Sequence, residues 1–455
     1  MSDTITCDLA VIGAGPGGYA TALRGAAHGL RVVLVERGPV GGACLNRGCI
    51  PTKAWVAAAE TVDHVPHMAS FARAPFDYAV DFGKVSDRQR KIVAQFVGSL
   101  EKLLEKRGAR VVRGSARFAS PTRIVVDSGA TVDFRHAVVA TGTAPVRLFD
   151  LPGDLLWDSD TIFSAESLPP SMLVIGAGYI GCEFAGALAR FGVKTTLIES
   201  LPRILPMADE EVSSTMGREF KKQKIGMKTG VKIAALTPGG EGVVATFENG
   251  DSLTAGGALV SVGRRPVTGG LGLDAAGVAV DGRGFVVVNG AMTTTVPHIH
   301  AVGDLAGRGA LAYTAYREGA YVADRIAGKR TDELADTPVP NAVFTIPEVG
   351  SVGITEAEAP VGAKVGRFMT RGLARAHTTG ELAGFVKVIA HPDTDAILGV
   401  HMVGARATDL IHIASVAMAA GLTARRLGDL LFAHPAFAEG LLEAVHDVHG
   451  LALHQ

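Results

Sequence analysis

Apolar runs interrupted at short intervals by glycine set the pattern of this chain. Residues 8–36, DLAVIGAGPGGYATALRGAAHGLRVVLVE, open on an apolar run, turn through glycines, continue as a small-residue stretch and end in a second apolar run closed by Glu36. Residues 172–199, MLVIGAGYIGCEFAGALARFGVKTTLIE, repeat each step and close on Glu199. Short continuous apolar runs bounded by turn residues predict strands buried on both faces, and alternation with a helix predicts a parallel sheet. The chain therefore reads as a βαβ unit used twice.

Between the copies, Ser86 and Gln89 have capping-box spacing. Ile92, Val93, Phe96, Val97, Leu100, Leu103 and Leu104 then recur at i, i+3, i+4, predicting an amphipathic helix that starts at Ser86 and stops at Gly108. β-like runs at 111–113, 116–118, 124–126 and 132–134 lead into Val138-Val139-Ala140-Thr141-Gly142, and Pro145 with Leu151-Pro152-Gly153 marks a boundary. After the second unit come Val262-Gly263-Arg264-Arg265-Pro266, then Ala301-Val302-Gly303-Asp304 ahead of a helix ending near Gly328. Residues 331–340 read as a linker. A hairpin over 385–390 and 397–402 and helices near 406–420 and 437–448 complete an α/β chain of three or four lobes.

Composition adds exclusions. The 455 residues include 57 glycines, against roughly 32 at average usage, so glycine serves turns and close backbone approaches. Basic residues number 44 and acidic ones 45, a net charge of −1 that gives no basic footprint for nucleic acid. The apolar stretch 410–422 is too short to span a bilayer. The N-terminus has no basic region followed by an apolar run, and four cysteines make no disulfide scaffold. The chain reads as soluble and cytoplasmic, with no nucleic-acid or membrane partner.

The two glycine turns carry the first chemistry. Gly13, Gly15 and Gly18 form G-x-G-x-x-G, with Glu36 about 20 residues on, where a ribose hydroxyl is held. Gly176, Gly178, Gly181 and Glu199 repeat it. Glycine permits the tight turn and lets bare backbone approach a pyrophosphate seated on a helix N-terminus. One such motif is a weak signal; two, each with its acidic partner, imply two dinucleotides, a resident flavin (FAD) and a visiting nicotinamide. Glu199 repels a 2′-phosphate and favours NAD, with Arg203 the feature on the side of NADP. Asp304 is expected to end a strand before a helix, where it suits a ribityl hydroxyl or an ordinary helix N-cap.

Residues 41–53, GGACLNRGCIPTK, hold Cys44 and Cys49. In a regular helix an i, i+5 pair rises about 7.5 Å, beyond the ~7 Å Cα separation a disulfide tolerates. A bridge needs irregular backbone, for which Gly48 and Pro51 supply the means, while Lys53 and a helix N-terminus favour a thiolate. A redox pair, a metal pair and two inert thiols all remain open from spacing alone. A metal pair wants a second Cys/His pair, whereas Cys7 and Cys182 stand alone, so no metal is expected. Of 14 histidines, two sit in Ala-His-Pro. His391 leads into a turn, a structural place. His434 has Glu439 five residues later, an arrangement able to fix the tautomer of an acid–base imidazole.

These segments resemble the pyridine nucleotide–disulfide oxidoreductases over essentially the whole chain, and are most similar to the dihydrolipoamide dehydrogenase branch. The resemblance rests on G-G-x-C-L-N-x-G-C-I-P-T-K, Ala140-Thr141-Gly142, Val262–Pro266, Ala301–Asp304, Phe344-Thr-Ile-Pro-Glu-Val349 and the C-terminal His-Pro…Glu, in the family's order. It implies two Rossmann-like dinucleotide-binding domains plus a C-terminal α/β dimerisation domain: an FAD-binding segment over 1–147, an NAD-binding domain over 148–270, a piece over 271–337 completing the FAD region, and a dimerisation domain over 338–455. It also implies a Cys44–Cys49 redox disulfide and an ion pair of Lys53 with Glu183 beside the flavin. FAD contacts come from Gly13, Gly15, Gly18, Glu36, Lys53, Thr141, Gly142 and Asp304, and NAD contacts from Gly176, Gly178, Tyr179, Gly181, Glu199 and Gly263. The His434–Glu439 dyad reaches the active site of the other subunit of a homodimer. The implied activity is oxidation of dihydrolipoamide, free or on a lipoylated carrier protein, by NAD⁺; reduction of another disulfide by NAD(P)H is the alternative, and a docking subunit a remote one. Ala43, Tyr313, Phe432, Ala436 and Ala438 depart from the family's usual residues and bear on substrate choice.

Overall fold

β1 (Thr4–Ile12), α1 (Pro16–Ala27) and β2 (Val32–Glu36) form the first βαβ unit. The computed structural model describes residues 4–74, 78–240 and 242–454. It groups them into two units, one drawn from residues up to 54, 86–146 and 263–336, the other from 55–85, 147–262 and 337 onward.

In the first unit, β1 lies between β2 and the strand Thr131–Val139, parallel to both, and Arg110–Arg113 extends the sheet beyond β2. Ile299–Ala301 adds a further parallel strand against 137–139, while Arg123–Val126 and Ala116–Ser120 continue the sheet antiparallel. Leu9, Val11, Leu34 and Val138 are buried against the helix side, and Ala10, Ile12, Val33 and Val139 against the opposite core, as a two-sided parallel sheet requires. The expected strand at 132–134 and the run at 138–139 are one strand. The helix expected to begin at Ser86 begins four residues earlier, as Phe82–Lys106. Ser86 is buried inside it and its Oγ accepts from Arg90, so the capping-box pattern is coincidental. Residues 263–270, expected in the second nucleotide fold, group here: Arg264–Pro266 pairs with Thr143–Pro145, and Val267 N–H donates to Gly142.

The second unit repeats the plan. Ser171–Ile175 and Lys194–Glu199 flank the helix Tyr179–Arg190 in a parallel sheet with Gly226–Thr229, Gly257–Val260 and Leu156–Asp158. Its core is aromatic around fully buried Trp55, whose ring meets Phe82, Phe163, Phe184 and Phe191 at centroid distances of 5.0–6.2 Å. The C-terminal part is an antiparallel sheet, Asn341–Val343, Glu348–Gly353, Ile397–Gly404, Phe385–Ala390 and Lys364–Met369 in spatial order. The helices Ala407–Ala419 and Glu439–Asp447 pack on it. The hairpin turn is braced as expected of His391, whose Nδ1 accepts from the N–H groups of Asp393 and Thr394. A short helix, Ala424–Gly428, was not foreseen. Lys387 on the central hairpin is 2% exposed and donates to Asp209 at 2.7 Å and to Glu211 and Glu356 at 2.8 Å each.

Candidate active site

Both glycine turns are built the same way. Gly13 and Gly176 have φ of +98° and +97°, where an L side chain is strained. A Cβ on Gly18 would lie 1.8 Å from the Gly13 carbonyl oxygen, and one on Gly181 lies 1.9 Å from that of Gly176. These contacts let the helices start hard against the preceding strands. Gly15 and Gly178 are the N-cap residues, and among the described residues no side chain caps either helix. The first-turn N–H groups are thus left to an anion such as a pyrophosphate. Both cradles fit a dinucleotide.

The two glutamates hold their turns. Glu36 Oε2 accepts from Ala14 N–H at 2.7 Å and Oε1 from Gly38 N–H at 2.8 Å. Glu199 Oε2 accepts from Ala177 N–H and Oε1 from Leu201 N–H, both at 2.9 Å. Arg203 is turned onto its own loop, donating to the carbonyls of Pro206 at 3.2 Å and Ala208 at 3.1 Å. Tyr179 follows Gly178, and burial pushes its phenol up. Gly263 has φ of +111° and its carbonyl accepts from Val146 N–H, within the first unit.

The cysteines straddle a helix break. α2 (Gly42–Arg47) carries Cys44 and α3 (Cys49–Asp63) begins at Cys49, with Gly48 between them at φ −140°, ψ −108°. Gly48 supplies the irregular backbone; Pro51 instead sits in the first turn of α3, where its missing N–H costs nothing. Asn46 donates to the carbonyls of Val40 and Gly42 at 2.9 Å, and Thr52 Oγ1 to Gly48 at 2.6 Å, bracing the break from both sides. Both cysteines are thiols of intermediate exposure and share a hydrogen bond. That bond, then burial, pushes the Cys44 thiol up, while the charge of Lys53 pulls it down. Lys53, one turn past Cys49, acts in the expected direction but is outweighed.

Asp304 does not end a strand. It lies in a 3₁₀ turn, Gly303–Ala306, after the strand Ile299–Ala301 and ahead of the helix Ala312–Ile326. Its Oδ2 accepts from Thr143 Oγ1 at 2.7 Å, and Arg264 donates to Thr143 in turn. Gly303 N–H donates to Glu318 Oε2 at 2.7 Å; Glu318 is 4% exposed, and burial pushes its carboxyl up. Thr141 Oγ1 donates to Val267. Gly142 takes φ of +65°. Sequence reasoning missed Thr143, Glu318, Asn46 and Thr52. The one local signal was an acidic residue within the Ala/Gly-rich stretch 315–323.

In the second unit, His434 Nδ1 and Glu439 Oε1 are 2.8 Å apart, and Ala436 N–H donates to Glu439 Oε2 at 2.8 Å. The carboxylate is thereby fixed from one side while it orients the imidazole, whose side chain is 71% exposed. Glu183 is buried and its Oε1 accepts from Phe344 N–H at 2.9 Å, which supplies a partner the apolar helix around it lacks. Among the described residues, no three His, Cys, Asp or Glu side chains are placed to hold a metal ion, and no helix is long and apolar enough to cross a membrane.

A paired dithiol beside a glycine-turn nucleotide cradle, with a second cradle downstream, matches one family model. The pyridine nucleotide–disulphide oxidoreductase model fits residues 7–319, and the dimerisation-domain model of the same family fits residues 339–445. The chain belongs to the pyridine nucleotide–disulfide oxidoreductases. Dihydrolipoyl dehydrogenase of Thermus scotoductus is 40% identical, covering 99% of both chains, and that of Bacillus subtilis is 34% identical over 98% of this chain and 99% of its own. Among solved structures, the HOCl-induced flavoprotein disulfide reductase RclA of Escherichia coli superposes with a TM-score of 0.88 at 27% identity, covering 96% of this chain and 99% of its own. LpdA of Mycobacterium tuberculosis gives 0.88 at 25% identity with the same coverage. As a pyridine nucleotide–disulfide oxidoreductase, the protein is an α/β enzyme that uses FAD and NAD and carries a dimerisation domain.

Proposed function

We propose that the protein is a homodimer oxidising the dihydrolipoyl dithiol, free or on a carrier protein, with NAD⁺ as acceptor. The observation that carries this reading is the Cys44–Cys49 pair, two thiols in hydrogen-bond contact across the break at Gly48. The near full-length relatives named dihydrolipoyl dehydrogenase support the choice of substrate.

Bound FAD supplies the relay of an electron pair between dithiol and NAD⁺. Gly13, Gly15, Gly18, Glu36, Thr141, Gly142 and Asp304 would hold it, and the Lys53–Glu183 pair would stand beside it. NAD would be held by Gly176, Gly178, Tyr179, Gly181, Glu199 and Gly263. His434, with Nδ1 committed to Glu439, takes the proton of a substrate thiol on Nε2. The thiolate attacks Cys44 of the oxidised pair; a bond forms between substrate sulfur and Cys44 as the Cys44–Cys49 bond breaks, and Cys49 leaves as thiolate. The second substrate thiol attacks the sulfur joined to Cys44, closing the cyclic disulfide; its proton passes to Cys44, which leaves as a thiol, while His434 keeps the first proton and yields it to solvent. The substrate has lost two electrons and the cysteine pair has gained them. In the dimer this dyad would serve the cysteines of the other subunit.

The test is steady-state turnover of the flavin-loaded enzyme with dihydrolipoamide and NAD⁺, set against glutathione disulfide with NADH and NADPH. The reading expects dihydrolipoamide to have the higher kcat/KM and Cys44→Ser to abolish its turnover with flavin retained. A preference for glutathione disulfide, or turnover surviving in Cys44→Ser, overturns it.

A further inference from the structure

The first unit carries a paired phenol that the reading above does not use. α1 and the helix Ala312–Ile326 are pressed together by glycine: a Cβ on Gly319 would lie 2.3 Å from the Gly17 carbonyl oxygen. Two residues after Gly17 and three before Gly319, Tyr19 and Tyr316 lie with ring centroids 5.6 Å apart, and Tyr19 Oη donates to Tyr316 Oη at 2.7 Å. α2 stands on the start of the same α1. Gly41 N–H donates to Ala14 at 2.7 Å, and a Cβ on Gly42 would lie 2.5 Å from Gly15 Cα. Cys44 follows Gly42 by two residues and Tyr19 is one turn from Gly15, so dithiol and phenol pair rise from one glycine foundation. Tyr316 is 37% exposed and Tyr313, three residues earlier on the same face, is 40% exposed. Tyr19 packs against the core of the unit, whereas Tyr316 is not needed to bring the two helices together, since the glycines already do so.

We propose that Tyr316 contacts substrate in the thiol-exchange site, donating a hydrogen bond to the sulfur anion as it exchanges at Cys44. Together with Tyr19 and Tyr313 it makes an aromatic wall suited to a slim aliphatic dithiol. The inference rests on thiol exchange at Cys44 as described above. Negative charge passes along three sulfurs during the displacement, and a fixed donor beside it is stabilising. Tyr19 uses its proton on Tyr316; Tyr316 accepts that bond and keeps its own proton to give, and a donor that also accepts is strengthened. Burial, with the charge of Cys44 and Cys49 as a further contribution, pushes both phenols up. They therefore donate without ionising, and no proton changes hands.

Tyr316→Phe in the flavin-loaded enzyme keeps the ring and removes the donor. It should lower kcat for dihydrolipoamide roughly tenfold or more, the scale of a hydrogen bond to a charged group, with KM changed less than about twofold. In the NADH-reduced enzyme it should shift the pH profile of Cys44 alkylation by iodoacetamide to higher pH, which a structural ring would leave in place. Tyr19→Phe should give a smaller loss of the same kind, and Tyr316→Ala should raise KM as well. A Tyr316→Phe enzyme with wild-type kcat and an unmoved alkylation profile overturns the inference. Cys44→Ser run in parallel separates the failures: if it still turns over, exchange at Cys44 is wrong and this proposal falls with it, whereas an inactive Cys44→Ser beside an unaffected Tyr316→Phe removes Tyr316 alone.

Discussion

Glu199 accepts the backbone N–H of Ala177 at 2.9 Å, tying the end of one strand to the glycine turn that follows its neighbour. Glu36 and Ala14 repeat the relationship at 2.7 Å. Each glutamate thus shapes its phosphate turn, and a carboxylate with about four lone-pair positions can still accept from a ribose.

Glu199→Ala should lower kcat/KM for NAD⁺ by roughly tenfold or more, since the turn loses the acceptor of Ala177 N–H and, on the proposed reading, the ribose loses one as well. Its preference over NADP⁺ should narrow without reversing, because Arg203 stays engaged by Pro206 and Ala208. Steady-state kinetics with both nucleotides decides; an unchanged NAD/NADP ratio would contradict the role of the carboxylate.

Glu439→Gln keeps the shape beside His434 and removes the charge. Turnover with dihydrolipoamide should fall about 10²-fold, within the range of general acid–base catalysis. Glu439→Ala should be worse, as it also frees Ala436 N–H. Flavin content, read from absorbance, should match wild type in both; an unaffected rate would remove the dyad from the reaction.

Lys387→Met leaves buried Asp209 without its cation, while Arg367 still holds Glu211 and Glu356. Removing one side of a buried ion cluster costs about 3–5 kcal/mol. Thermal unfolding should therefore show a midpoint lowered by several degrees, and a midpoint within one degree of wild type would show that the cluster relaxes at no cost.

Burial, with His136 stacked at 6.3 Å, lowers the His300 imidazole to about 4, and His136 is lowered for the same reason. The His300 ring stays neutral in the fold down to about pH 4, whereas in the unfolded chain it takes up a proton near pH 6.5. This contribution to stability is present above pH 6.5 and is lost as pH falls through about 4, amounting to about 3 kcal/mol for His300. Unfolding midpoints measured from pH 8 to 4 should fall less steeply in His300→Phe than in wild type; parallel curves would refute the assignment.

What the sequence made legible was what it encodes locally. Gly13 and Gly176 declare their turns because only glycine tolerates that φ and that proximity, and Cys44 and Cys49 declare the break at Gly48 because a continuous helix would part them. The start of the long helix was misread because Ser86 and Gln89 mimic a cap, while Phe82 and Val85, packed against the Trp55 core, extend the helix backwards. Asp304 was misplaced, and Thr143 and Glu318 were missed, for a different reason. Thr143 and Asp304 are 161 positions apart, and Glu318 bonds a backbone N–H, so no spacing pattern announces either.

The pairing of α1 with the helix Ala312–Ile326 also sets a timetable for biosynthesis. Tyr19 and Tyr316 are 297 positions apart, and the strand Ile299–Ala301 that extends the first sheet arrives almost as late. At ~5–20 residues per second, the N-terminal nucleotide fold waits on the order of 15–60 s for its last parts. Throughout that interval the nascent chain carries the face of α1 that the later helix will cover at Gly17, so one of the first elements made is among the last to be packed.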